Sequence, residues 1–436
     1  MAFKIEAFQN RYLAPGSARV DAIVSVTADP SLKKATGDLV IGFIVDKSGS
    51  MANGRIEAVQ HAVAKAITML DDGTWFFVVA FDGAAYATIR ETQANADSKR
   101  WAAGAIAQIQ AGGGTAMSSG LRAAREIFER APNAIHRAIF LTDGKNEGEK
   151  IQNVVDELQR CGGVFECDCW GVGTDWQVGE VQAIADALLG KAALIPSPDG
   201  VEAAFRDSIT KASGKALKDV RFRLWTPQGA SISFVKQVNP TIEELTAKAR
   251  EISPQIREYA TGSWSGGEAR DFHIVVDVKA GKPGEEMLAA RPSVVYLQAS
   301  AGTATGWAEV EDKAPEARIF ATWTGDDALS SRLDHHVAHY TGQDELAAAI
   351  QEGLELREKG QEAQATQLLG RAVKIAHASH NVEMTQRLAK VVEVLDAGSG
   401  TVRLKKDVKK AATMDLQLES RTTKRVAKRG PSAGGS

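Results

Sequence analysis

The sequence predicts an α/β fold: a doubly wound, mainly parallel sheet inserted between strands of an antiparallel β-sandwich, followed by a small C-terminal helical region. Three observations carry this expectation. From Gly37 to about Gly214, short apolar runs alternate with longer segments whose apolar positions recur every three and four residues. That is the pattern of strands buried on both faces and of helices that cover them. After Lys218 the chain switches to apolar–polar alternation, and from about Asp326 to Ala397 it becomes helical.

The elements follow in order. LVIGFIV (39–45) is the first buried strand, and RIEAVQHAVAKAITML (55–70) the first helix. WFFVVAF (75–81) and AAYATIR (84–90) form a hairpin through Asp82-Gly83, a dipeptide that favours tight turns. Helices are expected over 97–109 and 116–130, a strand at HRAIFLTD (136–143), a helix near 149–160 and a strand at 164–172. A helix near 177–189, a short strand at 191–195 and a helix at 199–213 complete this unit. VRFRLWTPQGASISFVKQV (220–238), ARDFHIVVDVKAG (269–281), RPSVVYLQAS (291–300) and ARIFATWT (317–324) alternate as half-buried antiparallel strands do. Residues 4–28 share that character, so they are expected to pair with these later strands across the inserted domain. Segments 344–379 and 382–396 read as amphipathic helices. The expected units are therefore 1–36, N-terminal strands of the sandwich; 37–216, the α/β domain; 217–325, the sandwich; 326–397, a helical hairpin or bundle; and 398–436, a basic, flexible tail.

At 436 residues the chain is too long for one ordinary core. Its 44% hydrophobic and 25% charged residues are those of a water-soluble globular protein. The formal charge of −3 speaks against a nucleic-acid partner, although residues 401–436 hold ten Lys/Arg against three Asp/Glu, leaving 42 basic and 52 acidic residues elsewhere. Three cysteines are too few for a disulfide-framed secreted fold. No run approaches the ~20 apolar residues of a membrane span, and the N-terminus lacks the apolar stretch of a signal peptide, so a cytoplasmic location is expected.

The first strand ends in DKSGSMANG, with Asp46, Ser48 and Ser50 at alternate positions. In a doubly wound sheet ligands bind outside the carboxyl ends of the strands, where strand order reverses. Two hydroxyls two residues apart in an extended loop can face one point, and a small hard cation needs several such oxygen ligands. AGGGTAMSSG (111–120) brings Thr115 after three glycines, and FLTDG (140–144) ends another strand in Asp143.

This order of D-x-S-x-S, loop threonine and strand-end aspartate closely resembles the metal-ion-dependent adhesion site of von Willebrand factor type A domains, over roughly 37–214. The five motif positions are present as Asp46, Ser48, Ser50, Thr115 and Asp143. The resemblance implies a bound Mg²⁺, with Mn²⁺ or Ca²⁺ as substitutes, and an open coordination position completed by an Asp or Glu of a protein partner. It also implies, in many members, that affinity is coupled to movement of the last helix, here 199–213. GVGTDW (171–176) and LWTPQGA (224–230) are similar to bacterial, actinobacterial-type cytoplasmic proteins of this family, whose relatives are often encoded beside Ser/Thr kinases, phosphatases and phosphothreonine-binding modules. A scaffold in phosphorylation-linked signalling is the implied role; an adaptor for a MoxR- or chelatase-type AAA+ ATPase is the alternative.

Other features have plainer readings. Cys161, Cys167 and Cys169 lack the paired spacing of a zinc site and read as buried thiols. His335, His336 and His339 follow Asp334 at helical spacing and read as a helix start against the sandwich; His377 and His380 are similarly spaced. In ESRTTKRVAKRG (419–430), Thr422 and Thr423 sit among basic residues as candidate phosphorylation sites for a basophilic kinase, with capture by a phosphothreonine-binding partner. There is no P-loop, nucleophile elbow or H-E-x-x-H, so a binding role is expected over an enzymatic one. Metal-dependent phosphoryl transfer is the remaining alternative, since two aspartates lie beside the predicted cation.

Overall fold

A computed structural model of the protein describes residues 1–32, 39–52, 54–195, 201–300, 303 and 306–426. Strands β1 (Phe3–Gln9), β2 (Tyr12–Leu13) and β3 (Arg19–Ala28) precede the α/β unit. That unit runs β4 (Leu39–Asp46), α1 (Arg55–Thr68), β5 (Trp75–Phe81), β6 (Ala85–Gln93), α2 (Ala96–Ile106), α3 (Met117–Phe128), β7 (Ile135–Thr142), α4 (Ile151–Cys161), β8 (Glu166–Val172), α5 (Val178–Ala187), β9 (Ala192–Ile195) and α6 (Val201–Ser213). Its six strands are ordered β6-β5-β4-β7-β8-β9, parallel except for β6. From β4 the chain goes to β5 on one side and later returns to β7 on the other, so the strand order reverses at the carboxyl end of β4. Helices cover both faces because β4 and β7 are buried at every residue and have apolar side chains on each side. Local chemistry sets the helix starts: Asn95 Oδ1 accepts from the Asp97 and Ser98 amides at 3.0 Å each, while Ser98 Oγ accepts from Asn95 N at 2.9 Å.

The sandwich follows as β10 (Lys215–Trp225), β11 (Ala230–Asn239), β12 (Glu243–Glu244), β13 (Arg250–Ser253), β14 (Ile256–Ser265), β15 (Ala269–Val278), β16 (Glu286–Ala299), β17 (Trp307–Lys313) and β18 (Ile319–Trp323). One sheet is ordered β1-β3-β15-β11-β12 and the other β13-β14-β10-β16-β18-β2, with β17 also on β16. The N-terminal strands do pair across the insertion: β3 runs antiparallel to β15 from Arg19↔Asp277 to Thr27↔Ala269. The two inner faces share a core in which Phe222 stacks on Phe272 at 4.4 Å and Phe3 meets Trp264 edge-on at 5.3 Å. The sandwich adjoins the amino edge of the parallel sheet: Lys218 Nζ donates to Ala134 O at 2.7 Å, Trp307 Nε1 to Asn133 O at 2.7 Å, and Ser263 N to Glu166 Oε1 at 2.6 Å. The carboxyl edge of the sheet lies at the other end of these strands.

The C-terminal region contains α7 (Asp327–Ser330), α8 (His335–Glu358), α9 (Glu362–Ala378), α10 (Val382–Val391), β19 (Val392–Asp396), β20 (Thr401–Leu404) and α11 (Lys410–Glu419). Gly360, at φ +73°, breaks the long helical pattern between α8 and α9. His336 stacks on Phe8 at 3.6 Å, which places the histidine-rich start of α8 against the first sheet.

Two expectations are corrected here. The helix expected over 382–396 stops at Val391, because Val392 turns extended and Val392 and Val394 pair with Leu404 and Val402 in a hairpin. The segment 398–436 is not a flexible tail as far as residue 426. In α11, Leu416 is buried among α8, α9 and α10, while Met414 and Leu418 reach the core of the α/β unit. Beyond it Arg421 Nη1 donates to Asp186 Oδ2 at 2.9 Å, and Thr423 Oγ1 donates to Val238 O at 2.6 Å. Residues 427–436 lie outside the described residues.

Candidate metal centre

Asp46 is the last residue of β4 and is fully buried. Its two carboxylate oxygens are held from opposite sides, one by the Ser48 amide at 2.8 Å and the other by Thr142 Oγ1 at 2.6 Å. Burial pushes this carboxyl up to about 6, even against the hydrogen bonds from Thr142 and Ser48. The first loop is stitched to the glycine loop through backbone: Gly49 N donates to Gly113 O at 3.1 Å and Gly112 N to Lys47 O at 2.7 Å. Gly113, at φ +86°, passes so close to the Asp82 carboxylate that a Cβ there would lie 2.8 Å from it. Glycine is therefore required at 113 both for its dihedral and for this approach.

Thr115 is positioned by the next loop, whose Gly148 N donates to Thr115 O at 2.8 Å. Glu149 then caps α3, taking the Ser118 amide at 2.8 Å and the Ser118 hydroxyl. Asp143, fully buried after β7, accepts from Ser50 Oγ at 2.7 Å and faces Arg55 Nη1 at 2.6 Å; the same guanidinium reaches Asp175 at 2.7 Å.

The hydroxyls converge. A Cβ placed on Gly144 would lie 3.1 Å from Ser50 Oγ, 3.6 Å from Thr115 Oγ1 and 3.9 Å from Ser48 Oγ, and Ser48 Oγ is 3.0 Å from Ser50 Oγ. The structure thus brings Asp46, Ser48, Ser50, Thr115 and Asp143 to one place at the switch point of the sheet. Three hydroxyls and two carboxylates make an all-oxygen donor set, which suits a hard divalent cation. Among the described residues no three His, Cys, Asp or Glu side chains form a metal-binding group, so this place is distinguished by its hydroxyls. Cys161, Cys167 and Cys169 are free and buried, with burial pushing the Cys161 and Cys169 thiols up.

Sequence reasoning missed Thr142, Arg55, Asp175 and Glu149. Thr142 was legible in hindsight, since it directly precedes Asp143 at the end of a buried strand. Arg55 and Asp175 are 120 residues apart, and nothing local marks them as partners. Of the two threonines expected as phosphorylation sites, Thr422 is exposed and Thr423 is buried against Asn239 and Pro240.

Profiles of known families match two stretches: the von Willebrand factor type A domain at 41–146 and the von Willebrand factor type A C-terminal domain at 374–420. A solved structure, a von Willebrand factor type A protein from Catenulispora acidiphila, is 39% identical, covers 98% of this chain and 97% of its own, and superposes with a TM-score of 0.89. The chain belongs to the von Willebrand factor type A family. The A domain thus carries the candidate centre, and the matched C-terminal domain spans α10, the β19–β20 hairpin and α11. The ArnB paralog VWA2 from Sulfolobus acidocaldarius shares this architecture at 14% identity, covering 97% of this chain and 98% of its own with a TM-score of 0.60, which shows the fold alone. Among curated sequences, an uncharacterized protein of Synechocystis sp. is 28% identical over 56% of this chain and 59% of its own length. Calcium-activated chloride channel regulator 1 of Sus scrofa is 26% identical over 47% of this chain. The A-domain chain spans 59% and 22% of the lengths of these two relatives. Among the described residues no helix is long and apolar enough to cross a membrane.

Proposed function

We propose that this protein is a metal-dependent interaction module in which Ser48, Ser50, Thr115, Asp46 and Asp143 hold a divalent cation, Mg²⁺ by preference, that a carboxylate of a partner protein completes. The observation that carries the reading is the convergence of three hydroxyls over Gly144, beside two fully buried carboxylates, at the carboxyl edge of the sheet. The bound cation would supply an electrophilic centre for an incoming Asp or Glu. Ser48, Ser50 and Thr115 contribute neutral oxygens, so few anionic oxygens would touch the cation directly and it would stay electrophilic; Asp46, held by Ser48 N and Thr142, acts behind the hydroxyls. Arg55 satisfies Asp143 and Asp175 at the rim. Binding, rather than catalysis, is the chemistry these groups support.

The finer role is a cytoplasmic scaffold in Ser/Thr phosphorylation-linked signalling. A reducing compartment suits three free thiols, and Thr422 is the exposed threonine of the pair. Titration calorimetry with Mg²⁺ and Mn²⁺ tests the centre: binding to the wild type and its loss in Asp143→Ala are expected, and equal affinity in both overturns the site. Affinity capture with and without chelator tests the mechanism, since partners retained equally in both reject a metal bridge.

A further inference from the structure

The outward-facing row on the larger sheet of the sandwich is balanced in charge at one end and unbalanced at the other. Near the A domain, Arg221 reaches Glu258 at 3.0 Å and Glu309 at 2.6 Å. Next along β10, Arg223 pairs with Glu258 at 2.8 Å and Glu311 at 3.2 Å. The row then ends in a groove of about 370 Å³. Half-buried Trp225 and Ile256 and buried Pro292 form its floor, and exposed Arg291, Lys313 and Arg318 its rim.

Glu311 is the lining carboxylate among the described residues, and it is already shared by Arg223, Lys313 at 3.4 Å and the Ser293 hydroxyl at 2.8 Å. The Arg291 guanidinium lies 5.1 Å from the Trp225 ring centroid and, like that of Arg318, has no carboxylate partner among the described residues. Besides Arg223, which Glu258 and Glu311 already pair, three cations thus rim a groove with one acid in it.

We propose that this groove docks an extended acidic segment of a partner protein, an apolar side chain lying on Trp225 and carboxylates on either side meeting Arg291, Lys313 and Arg318. Guanidinium groups match carboxylates in a two-pronged geometry, and the apolar floor adds burial that free ions in water lack. A nucleic acid fits less well: Glu309 and Glu311 stand in the same row, the chain carries a net charge of −3, and a single indole offers little stacking surface. The groove begins at Trp225, about 23 Å along β10 from Lys218, where the A domain is contacted. It is a second contact, independent of any cation at the A-domain centre.

Fluorescence anisotropy on the full chain, in chelator and at low salt, tests this with a fluorescein-labelled peptide of glutamates flanking two central leucines. Binding is expected, and an Arg291→Gln/Arg318→Gln double variant should weaken it about tenfold with an unchanged thermal midpoint. If that variant melts early, Lys313→Gln should still weaken the peptide, since its side chain is 73% exposed. The proposal is overturned if the peptide fails to bind, if these variants bind like the wild type, or if the lysine counterpart of the peptide binds equally. Tighter binding of an oligothymidylate of equal length would also overturn it and assign the groove to nucleic acid.

Discussion

Single side chains at the candidate centre differ in what they do. Asp143 is fully buried and meets both Ser50 and Arg55, so Asp143→Ala removes a proposed ligand and the carboxylate that Arg55 faces. Its expected outcome is loss of Mg²⁺ binding in calorimetry. Ser48→Ala keeps the backbone bond to Asp46 and should lower affinity without unfolding, with the thermal midpoint as the check. Gly171→Ala acts differently, because a Cβ there would overlap the Trp176 ring. Overpacking of this kind should destabilise by roughly 1–3 kcal/mol in urea titration while Mg²⁺ affinity of the folded fraction is retained. Glu268 supplies the pH dependence. Burial alone would raise its carboxyl, but Arg270, Lys215 and the Ser265 amide more than offset that and hold it at about 2. A depressed carboxyl stabilises fully above its unfolded value near 4.5 and loses that contribution as pH falls toward 2. Glu268→Gln should therefore flatten the acid limb of the stability curve between these values, and an unchanged limb would refute the assignment.

At the scale of elements, α11 is the piece that composition concealed. Its basic surroundings suggested a solvated tail, yet Met414 and Leu418 face the A domain and Leu416 faces the helical region. A helix that buries opposite sides in two cores shows no single apolar stripe, so helical periodicity does not mark it in the sequence. Leu416→Ala should cost about 2–5 kcal/mol, measured by urea denaturation of the full chain. The loops of the candidate centre show the opposite relation. D-x-S-x-S, the threonine loop and the strand-end aspartate were each visible as short motifs, because a motif is local. What the motifs omitted were the groups that aim them: Glu149 on the α3 N-terminus, Thr142 on Asp46, and Gly148 on the Thr115 carbonyl.

For the whole molecule, the insertion of the A domain within a sandwich makes distant parts of the chain interdependent. β3 lies between β1 and β15, so deleting residues 1–32 removes an interior strand and exposes the Phe272–Phe222 core. The truncated protein is expected to lose near-UV circular dichroism and cooperative unfolding; a native-like melt would show that the sandwich closes without it. Arg421, joined to Asp186 of the A domain and to Ile242 O of the sandwich, fastens the units from the C-terminal side. By itself the sequence determined the alternation of buried strands and helices, the change to half-buried strands, and the motif residues of the candidate centre, because each depends on spacing within one short segment. Tertiary structure alone decided that three hydroxyls meet over Gly144, that Arg55 bridges Asp143 and Asp175, and that residues 401–426 fold back onto two cores. Those outcomes depend on which segments the topology brings together, and local periodicity carries no information about a partner a hundred residues away.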